Sequence, residues 1–163
     1  MRSVATQFLI LGQWERSAHL FEYLGKRGND RSALMTAGRV FHATGEIEKW
    51  ESTAETLRKI YGVTSQFQQV SLELGNYFFK QGEFRKAIGY FRQCRSADIE
   101  LRSQCIARFA DSLLELGDRE GAKEDYERVG FKLGRKSLTS PYVGYARFQL
   151  ALKTEKEAQF EPL

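Results

Sequence analysis

Apolar residues recur along the chain every three to four positions, a spacing that places them on one face of a helix. In a central stretch, Leu74 and Phe78 form one such pair, and Ala87 and Phe91 form a second. Gly82 lies between the two pairs and can end the first helix, because glycine adopts a positive φ at low steric cost. The pattern therefore predicts two helices, joined at Gly82, that pack their apolar faces against each other.

The same arrangement recurs along most of the chain. Glycines that can end a first helix follow one another at intervals of about 35 residues, at Gly12, Gly45, Gly82 and Gly117. Second helices carry a small residue and then, one turn later, an aromatic residue, at Ser17 and Phe21, Ala87 and Phe91, and Ala122 and Tyr126. One hairpin cannot bury its apolar face alone, so consecutive hairpins are expected to stack.

The second hairpin departs from this order. Its large residue, Trp50, comes first and its small residue, Ala54, follows. Exchanging the large and small positions keeps the total volume but changes the local packing. We therefore expect this hairpin to pack differently from the others.

These residues resemble the tetratricopeptide-repeat (TPR) family, whose signature contains L-G-x-x-Y in the first helix and A-x-x-x-F in the second. Leu74, Gly75 and Phe78 occupy the first motif, and Ala87 and Phe91 occupy the second. The resemblance implies an all-α fold, a right-handed superhelical solenoid of antiparallel helix pairs with about four and a half repeats. It also implies one domain over 1–163, with repeats at about 1–28, 31–61, 66–97 and 100–130 and a final helix at about 141–157. Gly75 would let the second helix approach closely.

Some positions depart from the family pattern. The proline that usually closes each repeat is missing, and we predict that Asp30 and Ser65 cap the helices that follow the turns. The last helix is predicted to begin at Pro141, with Ser140 as its cap. Its pattern is similar to repeats of bacterial envelope proteins, such as outer-membrane assembly lipoproteins and cell-division coordinators. The unpaired last helix leads us to expect a segment of a longer repeat protein, and the alternative is a complete small protein whose last helix is itself the cap. The compartment stays open between the cytoplasm and, if the full-length protein carries a signal sequence, the bacterial periplasm or envelope.

The chain offers little that could support catalysis. His19 and His42 lie in different repeats and different helices, so we expect no helical metal site, and no phosphate-binding loop or nucleophile elbow is present. We therefore expect no cofactor, no metal and no enzymatic activity. Cys94 fits a small buried apolar position, while a bond to Cys105 would need Cα atoms within about 7 Å; the sequence leaves that bond open.

Charge does not indicate a nucleic-acid partner. The net charge is +4, and acidic residues are interspersed with the basic ones. The densest basic cluster is Lys132, Arg135 and Lys136, whereas nucleic-acid binding favours a continuous basic stripe with exposed aromatic residues. No apolar run reaches the roughly 20 residues that span a bilayer, so we expect no direct membrane insertion.

In the family that the chain resembles, first helices line a concave face that binds partners. The corresponding positions here are Met35, Arg39, His42, Leu72, Asn76, Phe79, Lys80, Asp111, Leu114 and Phe148. Asn76 matches an asparagine of the members that clamp a C-terminal carboxylate, but Leu72 replaces their lysine, which argues against that specialised role. The apolar members equally fit packing against neighbouring helices.

The sequence thus favours a non-catalytic scaffold that binds a peptide or helix of another protein in a concave groove. The alternative is a structural module that forms homo-oligomers through its solenoid ends.

Overall fold

A computed structural model describes residues 1–94, 98–133 and 141–159 of the chain. Contacts within the chain separate it into two units, Met1–Val70 and Ser71–Leu163, and the boundary falls inside one helix. Across the described ranges, helices joined by short turns account for the regular structure, and no strand occurs. None of the helices found there is both long and apolar enough to cross a membrane. The predicted all-α architecture of helix pairs is confirmed.

Nine α-helices follow one another in the described residues. Their bounds are α1 Arg2–Ile10, α2 Trp14–Arg27, α3 Arg31–Ala43, α4 Ile47–Tyr61, α5 Ser65–Lys80, α6 Phe84–Phe91, α7 Ile99–Glu115, α8 Arg119–Glu127 and α9 Pro141–Gln159. A π-helical turn, Arg128–Leu133, extends α8. As predicted, α9 begins at Pro141, whereas its predicted cap Ser140 lies outside the described residues.

The predicted glycine turns are confirmed. Gly12, Gly45, Gly82 and Gly117 all have positive φ, between 72° and 85°. A residue with a Cβ rarely adopts this conformation, which explains why glycine recurs at the end of each first helix.

Helix α3 begins with the predicted cap, and α5 does not. The Asp30 side chain accepts a hydrogen bond from the Ala33 amide, so this cap is confirmed. The prediction for Ser65 is wrong, because Ser65 is already the first residue of α5. Thr64 takes its place, with its hydroxyl accepting a hydrogen bond from the Phe67 amide at 3.2 Å.

In the first unit, α1, α2, α3 and α4 pack in chain order. Trp50 is almost fully buried, and its ring lies against Gly38. A Cβ on Gly38 would come within 3.1 Å of the Trp50 ring. The missing side chain on α3 therefore makes room for the large residue on α4, which explains the reversed pattern of the second hairpin.

In the second unit, α5 and α6 pack closely at Gly75. A Cβ added there would come within 2.4 Å of the Phe91 ring, so the predicted close approach is confirmed. Beside it, the rings of Phe78 and Tyr90 stack with centroids 5.6 Å apart. A second cluster holds α7, α8, α9 and the π-helical turn together, through Ile106, Ala110, Ala122, Tyr126, Val129, Val143 and Ala146.

The two cysteines form a disulfide, with their Cα atoms 6.0 Å apart. It joins the residues just after α6 to the middle of α7, and both cysteines are buried. The sequence left this bond open, and the burial expected for Cys94 is confirmed. Its sequence position predicted the burial correctly, but the approach of α7 that brings Cys105 to it has no local signal.

Candidate protein-interaction surfaces

Three of the predicted surface residues lie on α3 in the first unit. Arg39 and His42 are exposed, and Met35 is partly buried. The His42 ring stacks on Trp50 with centroids 4.1 Å apart. These three positions are mainly polar, since the guanidinium of Arg39 and the ring of His42 are exposed and little apolar area accompanies them.

Four predicted residues lie on α5. Asn76 and Phe79 are partly exposed and Lys80 is exposed, whereas Leu72 is 2% exposed. The Phe79 ring packs edge-on against Phe84 of α6, with centroids 5.3 Å apart. Leu72 is therefore an interior residue, and it does not belong to a binding surface of this structure.

Asp111 also lies in the interior, with 7% of its surface exposed. Its Oδ1 atom accepts hydrogen bonds from the hydroxyls of Tyr126, at 2.5 Å, and Tyr145, at 2.8 Å. Its Oδ2 atom accepts a hydrogen bond from Arg108 Nη1 at 3.1 Å. A buried carboxylate needs such partners. The sequence placed Asp111 in the groove to orient a ligand, and the structure instead shows it tying α7 to α8 and α9.

The two tyrosines are held in their neutral, donating form. Burial raises the pKa of Tyr126, and the hydrogen bond to Asp111 raises it further. The same two causes, in the same order, raise the pKa of Tyr145. Ionising either phenol would place a second negative charge beside the carboxylate. We call Asp111, Arg108, Tyr126 and Tyr145 the Asp111 cluster. It holds α7, α8 and α9 together as long as both tyrosine hydroxyls carry their protons.

Helices α7 and α9, which this cluster joins, also carry exposed apolar residues. Leu114 lies three residues after Asp111, while Tyr145, Phe148 and Leu152 fall on one face of α9. Phe148 is the most exposed of them, at 59%. The hydroxyl of Tyr145 on α9 donates to Asp111 on α7, so this contact brings the two helices together next to their exposed apolar residues. We call this surface the α7–α9 face and define it as Arg108, Leu114, Tyr145, Phe148 and Leu152.

Sequence reasoning found only part of this face. Leu114 and Phe148 were among the predicted residues, and Arg108 was not. The spacing of Arg108 and Asp111, three apart on a helix, is the one local signal that could have indicated their ion pair. The partners Tyr126 and Tyr145 lie too far along the chain for any spacing rule to connect them to Asp111.

The described residues offer few groups that could support catalysis or bind a metal. Among the residues that the structure describes, no group of three or more histidine, cysteine, aspartate or glutamate side chains could hold a metal ion. His19 lies between Glu15 and Glu22 on the surface of α2, with nitrogen–oxygen distances of 3.8 Å and 3.7 Å. The predicted basic cluster of Lys132, Arg135 and Lys136 has no described side chains.

Solved structures with the same architecture are TPR-like repeat proteins. The chain is similar to nearly identical TPR-like repeats of a kinesin light chain-like protein from Podosopora anserina, with 17% identity, a TM-score of 0.61, and 98% of this chain and 85% of that chain covered. It is also similar to PilF of Pseudomonas aeruginosa, with 16% identity, a TM-score of 0.62, and 95% and 68% covered.

A third similar structure is MamA, with 15% identity, a TM-score of 0.58, and 96% of this chain and 98% of that chain covered. No protein-family model matches the sequence. No curated protein sequence matches it either. At these identities the likeness establishes the fold, and the predicted TPR-like architecture is confirmed.

Proposed function

We propose that the chain is a protein-interaction scaffold and that its α7–α9 face binds an amphipathic helix of another protein. The observation that carries the proposal is that Leu114 on α7 and Tyr145, Phe148 and Leu152 on α9 are all exposed, on two helices that the Asp111–Tyr145 hydrogen bond joins. Exposed apolar residues grouped on one surface mark interaction sites more often than single ones do. TPR-like architecture in the similar structures supports a scaffold, because stacked helix pairs offer long surfaces for binding.

A helix fits the α7–α9 face better than an extended chain. The apolar residues of α9 recur at one-turn intervals along a helix, so a partner helix could insert its own apolar stripe alongside. Each large side chain that the complex removes from water would contribute about 25 cal/mol per Å² of apolar surface. Arg108, about four-tenths exposed, pairs with Asp111 on α7 and favours a partner with an acidic residue at its rim.

The Asp111 cluster would supply rigidity. The hydroxyl of Tyr145 is fixed to Asp111, so the aromatic ring is held in place before a partner arrives. Fixing a side chain beforehand lowers the entropy that binding must overcome. The face would thus combine a fixed tyrosine with more exposed apolar neighbours.

A peptide selection tests this function. Helical peptides are selected from a phage-displayed library against the whole chain, and the best one is labelled and titrated by fluorescence anisotropy. The double variant Leu114→Ser/Phe148→Ser should weaken binding by at least about tenfold, a loss of about 1.4 kcal/mol or more. The matched control Tyr23→Ser removes an exposed aromatic residue from α2 and should leave the affinity unchanged. Equal binding by a folded double variant would refute the assignment of the face.

A second candidate function is self-assembly, which one observation in the first unit favours. Ile10 and Leu11 are 78% and 69% exposed, with Met1, Val4 and Trp14 exposed beside them. Two copies meeting through this surface would bury it. Sedimentation measured over a range of concentrations should then show dimers that the double variant Ile10→Lys/Leu11→Lys abolishes. A monomer at the highest concentration would exclude this function and leave the first one standing.

A further inference from the structure

A cavity of about 410 Å³ opens in the first unit. Its walls come from the turn before α3, the start of α3, the last residue of α4 and the start of α5. The lining side chains are Asn29, Arg31, Ser32, Met35, Tyr61 and Gln66. Among these side chains Arg31 alone is charged at neutral pH, and none of them belongs to the α7–α9 face. The cavity thus offers a ligand one positive group in a neutral wall.

Arg31 is held in place by residues of two other helices. Its guanidinium lies over the ring of Tyr61, 5.0 Å from the centroid. Its Nη1 atom donates a hydrogen bond to Gln66 Oε1 at 3.3 Å. The hydroxyl of Tyr61 in turn donates to the Gly25 carbonyl at 3.3 Å, which fixes the ring beneath the guanidinium. The position of the positive charge is therefore set before a ligand arrives, so less side-chain freedom is lost on binding.

One edge of this guanidinium is left over by the fold. The Nε atom of Arg31 is buried and has no hydrogen-bond partner among the described residues. A buried donor without a partner is costly, and such a group needs an explanation. Gln66 is bonded to Nη1, whereas Nε and Nη2 form the other edge of the planar fork, from which both oxygens of one carboxylate can accept. A ligand at this edge would satisfy the donor that the fold leaves unpaired.

The charges closest to Arg31 leave one positive charge unbalanced. Asp30 precedes Arg31 in the chain, but its Oδ2 atom lies 3.5 Å from Arg2 Nη1 and its Oδ1 atom accepts from the Ala33 amide. Asp30 and Arg2 therefore balance each other, and Arg31 is in excess. Arg31 is also the first residue of α3, where a positive charge opposes the helix dipole. Stabilising its own helix therefore does not explain this arginine.

We propose that this cavity binds a carboxylate that is attached to a short apolar stem. A carboxylate carries the single negative charge that balances Arg31, whereas a phosphate monoester carries close to two. Ser32 Oγ accepts a hydrogen bond from Arg2 Nη2 at 2.9 Å, which leaves its own hydroxyl hydrogen to donate to the same carboxylate. The stem would lie beside Met35, whose unbranched side chain adapts to the shape of a ligand, and beside the ring of Tyr61. Short free acids and the glutamate side chain share this chemistry.

The competing interpretation is that Arg31 serves only the fold. Its contacts with Tyr61 and Gln66 join α3 to α4 and α5, and an arginine with that role needs no ligand. This interpretation predicts no saturable site and no preference for a charged ligand over a neutral one of the same shape. Binding measurements with matched ligands separate the two interpretations.

The test is a titration of the whole chain followed by nuclear magnetic resonance. Butyrate and N-acetylglutamate amide present the same carboxylate on a short stem, the first as a free acid and the second as an amino-acid side chain. Each is added at constant ionic strength, and butyramide, the neutral analogue of butyrate, is the control ligand. We expect saturable shifts of the Arg31 Nε–H signal and of the Ser32 backbone amide with at least one of the acids, and none with butyramide. The acid that saturates at the lower concentration identifies the source of the carboxylate.

Variants make the test specific. Arg31→Gln removes the charge and should weaken binding of the acid at least about tenfold, the loss expected for one charge-assisted pair. Arg31→Lys keeps the charge but loses the planar fork, so it should weaken binding by a smaller factor. The control Arg58→Gln removes a positive charge from an exposed ion pair with Glu55 in the same unit and should change nothing. Shifts that do not saturate, equal shifts with butyramide, or equal affinities in the control and a folded Arg31→Gln variant would overturn the proposal.

Discussion

Replacing Gly75 by alanine tests how closely the helices of one pair approach each other. The new Cβ would come within 2.4 Å of the Phe91 ring, which is 3% exposed and has little freedom to move. Overpacking of this kind costs about 1–3 kcal/mol, and a contact with a confined ring belongs at the upper end of that range. Alanine gains about 1 kcal/mol over glycine in helix propensity. We therefore expect a net loss of about 2 kcal/mol in the free energy of unfolding.

Gly89 of α6 provides the matched control. It is also a helical glycine, but a Cβ placed there meets nothing within 4 Å. Gly89→Ala should therefore stabilise the chain, by up to about 1 kcal/mol. Urea unfolding followed by circular dichroism gives both values. Equal stability of Gly75→Ala and Gly89→Ala would refute the close packing.

A second substitution checks the cause of the loss. If the Cβ that Gly75→Ala adds strikes the ring of Phe91, then Gly75→Ala should cost less in a Phe91→Leu background than in the native chain. The two changes would then be strongly non-additive, as expected for residues in direct contact. Additive losses would show that Gly75 matters for another reason.

Three further predictions concern single bonds of the fold. Cys94→Ser/Cys105→Ser removes the disulfide, which joins residues 11 apart in the sequence, and should lower the free energy of unfolding in urea by about 3 kcal/mol. Dithiothreitol should lower the stability of the native chain by a similar amount and should not change that of the variant. The pKa of Tyr126 is raised above its value in the unfolded chain. Its contribution to the free energy of unfolding is therefore intact below about pH 10 and declines as the pH rises further. Tyr126→Phe should lower the free energy of unfolding by about 1–2 kcal/mol near neutral pH. In urea titrations at alkaline pH, the stability of this variant should fall less steeply with pH than that of the native chain, and equal slopes for the two would contradict this. Asp30→Ala should cost about 1 kcal/mol in thermal unfolding through loss of its cap, whereas Ser65→Ala should have an effect below about 0.5 kcal/mol.

The fold could be predicted from the sequence because its determinants are local. Gly82 ends α5 with a positive φ, and Gly75 leaves the space that Phe91 fills. Each of these choices follows from the steric properties of one residue and a partner within one hairpin. The cap of α5 was misplaced because Thr64 and Ser65 are adjacent and either hydroxyl could have served.

The candidate surface could be predicted only in part, because burial depends on distant elements. Leu72 and Phe79 both lie on α5 away from its packing motif, yet Leu72 is buried and Phe79 is partly exposed. Asp111 occupies a surface-type position on α7, but it accepts hydrogen bonds from tyrosines of α8 and α9 and is buried. No spacing within a single helix encodes these contacts, so they require the folded chain.

The binding role of the α7–α9 face is tested most directly by locating the residues that a bound helix perturbs. Leucine methyl groups are labelled, the selected helical peptide is added, and the methyl signals are followed by nuclear magnetic resonance. A helix bound to the α7–α9 face should shift the signals of Leu114 and Leu152 and leave Leu57, buried in the first unit, unchanged. Shifts at Leu11 in the first unit, with Leu114 and Leu152 unmoved, would contradict this role.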